Sequence, residues 1–336
     1  MAKLWNASSS PHLRDGGSTA SIMRDVAIAL APSLAFAVWY FGTQALAVII
    51  VCVLSCVVSE AVYQRLCKKS VTVSDGSAAV TGLILAMNLP ADAPWWICAM
   101  GAVLAIILIK QIFGGIGQNF LNPALGARAI LMISWAGIMA STVVGRSIGA
   151  GFDVADAVAG ATPLARRFAG EAAEATPYGI VHLLIGGIPG MLGETSKITL
   201  LLGGAYLIFR RVITWHIPVS FILTAFVLFL ISTGKVYEAG NSQTALYQVL
   251  SGGLILGAVF MATDYVTSPL LPLGKIIFGV GCGLILWVIR SFNASYPEGC
   301  SFALLCMNLV NPLINRAVSR KWFGYVAPIK AKAKEA

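Results

Sequence analysis

The feature that most limits what this chain can become is a series of apolar runs that recurs along most of its length. They lie near 24–42, 44–60, 77–92, 94–113 and 124–143, then near 196–210, 214–232, 247–263, 274–290 and 300–316. A helix of about 20 apolar residues crosses a bilayer. Lipid offers no partner to an unpaired backbone group, so runs of this kind are read as helices. Only 11% of the 336 residues are charged and 58% are hydrophobic, whereas a soluble domain is about a quarter charged. The expectation is an all-α integral membrane protein of about ten transmembrane helices. A further apolar piece, 179–192, is cut by Gly186, Gly187, Pro189 and Gly190 and is expected to be a surface or re-entrant segment.

The net charge of +9 does not point to nucleic acid, because the bases sit at the ends of apolar runs and in the tail: Arg316, Arg320, Lys321, Lys330, Lys332 and Lys334. Bases so placed fix orientation in a membrane. With the N-terminus inside, sixteen Lys and Arg fall on inner segments and six on outer ones, leaving Arg128 within the membrane. Both termini are therefore expected on the cytoplasmic side and the long 144–178 segment on the outer side. No cleavable signal peptide is expected, since the first 22 residues are polar and lack an apolar centre. Trp39, Tyr40, Trp95, Trp96, Trp215, Trp287 and Trp322 lie at segment ends, as an interfacial aromatic belt would.

Two strings occur twice. "TGLILAMNLP" (81–90) resembles "SGGLILGAVF" (251–260), and "QNFLNPALGARA" (118–129) resembles "MNLVNPLINRA" (307–317). Five runs per half force the halves into opposite orientations. The expected organisation is a cytoplasmic segment 1–23, a five-helix repeat 24–143, an inserted outer segment 144–195, an inverted five-helix repeat 196–316 and a basic tail 317–336. Asn119 and Asn122 in the glycine-rich 114–124 loop, and Asn308 and Asn311 in 306–312, are expected to satisfy backbone groups where helices join or break, or to line a central site. Arg128, just after an Asn-Pro break, is expected to pair with an anion or to reach a helix end. Asp264 is expected as a cap, an ion-pair partner or part of a site. Glu60 and Lys110 are expected at the interface, and Glu194 at the start of a helix.

The seven cysteines show no CxxC pair, so an iron–sulfur or zinc site within this chain is not expected. The outer segment holds "DAVAGATPLARR" (156–167). Gly160 and Ala161 leave its backbone accessible, Thr162 presents a hydroxyl, and Pro163 keeps Thr162 out of helical geometry. Arg166 and Arg167 follow, and a hydroxyl near guanidinium groups suits a bound phosphate. The same features describe a plain loop leading into a helix at Pro163, and residue chemistry alone leaves both readings open.

Six motifs, in order, carry a resemblance over nearly the whole chain: "SDGSAAVTGLILAMNLP" (74–90), "GGIGQNFLNPALGARA" (114–129), "DAVAGATPLA" (156–165), "GETS" (193–196), "MATDYVTSP" (261–269) and "YPEGCSFALLCMNLVNPLINR" (296–316). With them the chain resembles the D subunits of Rnf electron-transport complexes and, more distantly, the B subunit of the sodium-pumping NADH:quinone reductase. The resemblance implies FMN held as a phosphoester on Thr162, with Asp156, Gly160, Ala161, Pro163 and Leu164 forming the motif around it. A separate flavin transferase would make the bond. Ala157 and Ala159 depart from the family's usual Gly and Ser or Thr, which bears on how readily the site is modified. Arg128, Asn119 and Asn122 are further candidates for cofactor binding. A non-covalent riboflavin, known in the quinone-reductase relative, is a second possible cofactor.

The resemblance further implies a subunit of a ferredoxin:NAD oxidoreductase in a bacterial cytoplasmic membrane, coupling electron transfer to Na⁺ or H⁺ movement. Its partners would be a second covalent flavoprotein and iron–sulfur membrane subunits, because this chain shows neither a dinucleotide fingerprint nor an iron–sulfur cysteine set. The competing expectation is a small-solute channel or permease, since inverted five-helix repeats also build those.

Overall fold

A computed structural model describes residues 18–141, 164, 179–238, 241, 243–293 and 298–319. Among these residues there is no strand. The main helices are α1 (Thr19–Phe41), α2 (Thr43–Leu66), α3 (Ser77–Met87), α4 (Trp95–Gln111) and α5 (Pro123–Ser134). After the long connection come α6 (Lys197–Phe209), α7 (His216–Thr233), α8 (Leu254–Leu256 running on through Gly257–Met261), α9 (Pro272–Phe292) and α10 (Cys300–Val318).

Local chemistry sets the boundaries. Ser18 and Ser21 form a reciprocal capping box at the start of α1. Asn122 caps α5, accepting from the amides of Ala124 and Leu125, with Pro123 as its first residue. Ser196, not Glu194, caps α6. In α2 the residues Leu46, Ile50, Leu54, Val58, Val62 and Leu66 are exposed, one every four positions. An apolar stripe at helical spacing that faces outward is a lipid face. Val219, Leu223, Val227 and Ile231 repeat the pattern on α7. The opposite face of α2 packs on α3 and α4, α7 packs on α9, and α1 packs on α6. At the last contact Gly203 approaches so closely that a Cβ would lie 2.3 Å from the carbonyl oxygen of Ala29.

Helix α1 begins beside the end of α6, where Arg210 pairs with Asp25. This is called the near end of the bundle, and it also gathers the 67–76, 112–122, 210–215 and 262–271 connections. The opposite end, with residues 88–94, 188–196, 243–253 and 298–299, is the far end.

Among the described residues four helices, α1, α2, α7 and α9, are long and apolar enough to cross a membrane. The runs read at 77–92, 124–143 and 247–263 are not full-length helices. Helix α3 has 11 residues and α5 has 12, or roughly 17 and 18 Å at 1.5 Å per residue. The run at 247–263 is broken: Ala245–Leu250 ends, and α8 starts only at Leu254. The physical reason is local. Asn-Pro fixes the start of α5, and Gly252 at φ +67° cannot continue a right-handed helix. Conversely, 306–312 neither joins nor breaks a helix, because α10 runs continuously through Pro312. The 179–192 piece is a short helix, Ile180–Ile185, followed by a buried turn, so it is folded into the far end rather than laid on a surface. Tyr40 is buried, not interfacial, whereas Trp39, Trp95 and Trp215 are exposed as expected. Trp322 lies outside the described residues.

Candidate functional site

Charges inside a membrane bundle are costly and mark function more often than packing. Among the described residues, the buried ones other than Asp25, which pairs with Arg210, gather in two places.

At the far end, Arg128 projects from α5 and donates to Asn88 Oδ1 at 2.9 Å, to Ser301 Oγ at 2.8 Å and to the Glu298 carboxylate. Glu298 precedes α10, so this contact joins the start of α10 to α5 and to the end of α3. Arg290, near the end of α9, is 1% exposed. It donates to the backbone carbonyls of Glu298, Ser251 and Gln248. Lys197, fully buried at the head of α6, donates to the carbonyls of Gly252 at 3.0 Å and of Glu194. Glu194 is buried within electrostatic reach of Arg128, Lys197 and Glu298. The broken backbone around Gly252 exposes carbonyls that lipid cannot satisfy, and two buried cations supply the donors. Leu164 is seated here, 2% exposed, where it and the Arg290 guanidinium flank Gly252.

At the near end, Glu60 on α2 and Lys110 on α4 form a salt bridge of 2.9 Å, both side chains almost wholly buried. The interfacial placement expected for them does not hold, because α2, α3 and α4 close over the pair. Gln111 Nε2 also donates to Glu60 at 2.6 Å, and Lys110 Nζ to Ser77 Oγ at 2.6 Å.

Between the two ends the short helices meet. Asn122 Nδ2 reaches the carbonyl of Met261 at 3.5 Å, and Asn88 Nδ2 reaches the Met261 sulfur at 3.8 Å. A cleft of about 860 Å³, counting its open mouth, lies on the near-end side of this junction. Apolar walls from Ile22, Val26, Ile84 and Phe260 face polar groups from Asn119, Asn122, Thr81, Thr263, Asp264, Ser77 and Lys110. Asp264 also caps its own turn, accepting from Thr267 Oγ1 and the amide of Val266. Residues Leu104–Gln111 and Gly257–Met261 are π-helical, and each stretch contributes a wall residue, Lys110 and Phe260. Such π turns recur at functional sites.

The candidate residues therefore separate. Asn119 and Asn122 line the cleft. Arg128 is a far-end ion-pair residue, and Leu164 is packed at the same end. Thr162, Asp156, Gly160, Ala161 and Pro163 lie outside the described residues. Sequence reading did not single out Glu298, Arg290, Asn88 or Ser301. Glu298 was visible only as one residue of the 296–316 motif, and Arg290 as a basic residue closing an apolar run.

The arrangement is that of a polytopic membrane protein whose short, broken helices are held by internal charges around a central cleft. The chain belongs to the NQR2, RnfD, RnfE family, which it matches over residues 6–324. It is 48% identical, over 97% of both chains, to the D subunit of the Na⁺-translocating ferredoxin:NAD⁺ oxidoreductase complex of Acetobacterium woodii. It is 39% identical, over 96% of both chains, to the D subunit of the proton-translocating ferredoxin:NAD⁺ oxidoreductase complex of Clostridium ljungdahlii. It is also 39% identical, over 94% of both, to the D subunit of the ion-translocating oxidoreductase complex of Halorhodospira halophila.

Proposed function

We propose that this chain is the flavin-bearing membrane subunit of an ion-translocating ferredoxin:NAD⁺ oxidoreductase, with FMN esterified to Thr162. The reading rests on end-to-end similarity to relatives of that name. The structural observation in its favour is Leu164. Two residues after Thr162, it is packed against Gly252 and Arg290. Its burial places Leu164 at the far end, beside the carbonyls that Arg290 and Lys197 hold. A bound FMN supplies a ring that accepts one or two electrons. This chain's part is to fix where that ring stands. Far-end loops would face the outside of the cytoplasmic membrane and both termini the cytoplasm. The two halves, 24–143 and 196–316, would be inverted repeats around the 144–195 insertion. Ferredoxin oxidation and NAD⁺ reduction would belong to partner subunits, among them a second covalent flavoprotein and iron–sulfur membrane subunits, and a flavin transferase would load Thr162. Electron transfer would be coupled to Na⁺ or H⁺ movement.

A second flavin is favoured by the cleft. Its apolar walls suit the flat faces of an isoalloxazine, while Asn119, Asn122 and Thr263 can hydrogen-bond ring carbonyls or ribityl hydroxyls. Riboflavin, without a phosphate, fits a cleft whose one lining ammonium is already paired.

The test is expression with the transferase, a denaturing gel and in-gel flavin fluorescence, with Thr162→Ala alongside. A fluorescent band lost in the variant is the expected result. A dark wild-type band, with the transferase active on another target, would return the channel or permease reading. Acid-extractable flavin in purified complex, lowered by Asn122→Leu, is the expected result for the cleft.

A further inference from the structure

At the far end Arg290 and Lys197 hold broken backbone, but the Glu60–Lys110 pair holds none. Helix α2 runs on past Glu60 to Leu66, Lys110 stands in the last turn of α4, and the side-chain bonds of the pair go to side chains, not to freed carbonyls. Replacing a buried ion pair by apolar residues of similar size is often neutral or stabilising, so packing does not account for the pair. One Glu60 oxygen, Oε2, is buried without any hydrogen-bond partner, and an unsatisfied group of that kind in a native structure calls for an explanation. On one side Lys110 and Ser77 form part of the cleft wall. On the other, Gln64 Nε2 points at Glu60 Oε1 at 3.5 Å and also donates to Thr72 Oγ1 at 2.8 Å. Thr72 is exposed at the near end.

We propose that Glu60 and Lys110 are a proton-loading pair, placed between the near-end surface and the cleft, that supplies protons to a redox group reduced in the cleft. The inference rests on the reading that the cleft holds a flavin. Lys110 Nζ would supply one proton to a redox group held in the cleft and would be left as an amine beside the Glu60 carboxylate. A proton from near-end water, entering by Thr72 and Gln64, is taken at the open Oε2 and passed on to restore the ammonium. Only N–H and O–H bonds break and form, and the electrons come from the electron donor, not from the pair. A metal cation is a poor occupant, because the ammonium at 2.9 Å already holds the anionic charge. Cys56, one helical turn before Glu60 on α2 and within electrostatic reach of both members of the pair, is a thiol with no hard-cation preference.

The experiment uses the intact complex. Single substitutions strand a buried charge and threaten folding, so the decisive variant is the double Glu60→Gln, Lys110→Gln, with Ser77→Ala as a milder probe. Ferredoxin-driven NAD⁺ reduction is measured in ordinary and heavy water, together with acid-extractable flavin. The double variant is expected to assemble with its extractable flavin and to lose turnover roughly a hundredfold, with a solvent isotope effect larger than that of the wild type. Ser77→Ala should give a smaller loss of the same kind. An assembled double variant with wild-type turnover and isotope effect would overturn the proposal and leave the pair structural. A wild type without extractable flavin would remove the cleft flavin, and the turnover and isotope arms would still judge the pair.

Discussion

The two buried charge clusters solve different problems with the same residue types. At the far end, Arg290 and Lys197 donate mainly to backbone carbonyls, while Arg128 gathers side chains from α3 and from the start of α10. Remove Arg290 or Lys197 and the carbonyls freed by a helix break lose their donors; remove Arg128 and the side chains of Asn88 and Ser301 lose theirs. At the near end, one Glu and one Lys bond to each other and to neighbouring side chains. Remove both and no backbone group is orphaned. A buried charge in a membrane bundle is thus not one kind of feature. Its partners decide whether it is part of the frame or is available for chemistry.

The sharpest way to break this distinction is at Arg128. Arg128→Met leaves Glu298 buried without its main counter-charge, takes one of two nearby cations from Glu194, and deprives Asn88 and Ser301 of a donor. Removing one member of a buried pair costs about 3–5 kcal/mol, and here more than one partner is stranded. The expected outcome is loss of assembled subunit, read as a collapse of the monodisperse peak in detergent. Next in size is Lys110→Met, at about 3–5 kcal/mol by the same argument. The double Glu60→Gln, Lys110→Gln variant should recover most of that loss. A double-mutant comparison of Arg128→Met with Glu298→Gln should recover much less, because the other far-end contacts stay broken. Equal recovery at both ends, measured by thermal stability in detergent, would erase the difference.

The sequence showed the frame and hid its fastenings for a definable reason. Apolar runs and the Asn-Pro and Gly breaks are local signals, and they place α4, α6, α7, α9 and α10 within about two residues of their observed bounds. Asn119 and Asn122 were legible as groups serving a helix break. The partners of the buried charges were not, since Arg128 and Glu298 are 170 residues apart and Arg290 meets carbonyls about 40 residues away. Periodicity carries no information on such pairings. Glu60 and Lys110 were misplaced because a charge near the end of an apolar run looks interfacial until the neighbouring helices close over it. Short helices such as α3 were overextended because apolar loop residues like Leu89 and Ala91 are as buried as helical ones.

A smaller effect tests the far-end frame directly. Gly252 has φ +67°, and a Cβ there would lie 2.7 Å from Leu164 Cδ1 and 3.0 Å from the Arg290 guanidinium. Gly252→Ala therefore combines backbone strain of about 1–2 kcal/mol with displacement of Leu164. Thermal stability should fall by about 2 kcal/mol. With flavin on Thr162, in-gel fluorescence should persist while turnover of the complex falls, because attachment needs only an accessible hydroxyl but electron transfer needs a fixed ring. Unchanged stability would mean that the break at Gly252 is not held as tightly as its cations suggest.

The smallest effect isolates burial itself. Lys235 and Glu238 lie 2.8 Å apart, nearly the 2.9 Å of Lys110 and Glu60, but their side chains are 56% and 45% exposed rather than 4% and 0%. Water and salt screen such a pair. Hydrogen bonds from Lys235 first, then Asn241, hold the Glu238 carboxyl below its ordinary range. A carboxylate depressed in the folded state contributes stability above its unfolded value and loses that contribution as pH falls through the folded one. Whatever the pair contributes is therefore present at neutral pH and lost only in acid, and its exposure keeps that contribution too small to read in a thermal melt. Lys235→Met should leave thermal stability unchanged at neutral pH, in low or high salt. Because chemistry and distance match, a loss there comparable to Lys110→Met would show that the near-end pair owes its energetics to the Lys–Glu contact and not to being buried, and the argument that sets the two ends apart would fail with it.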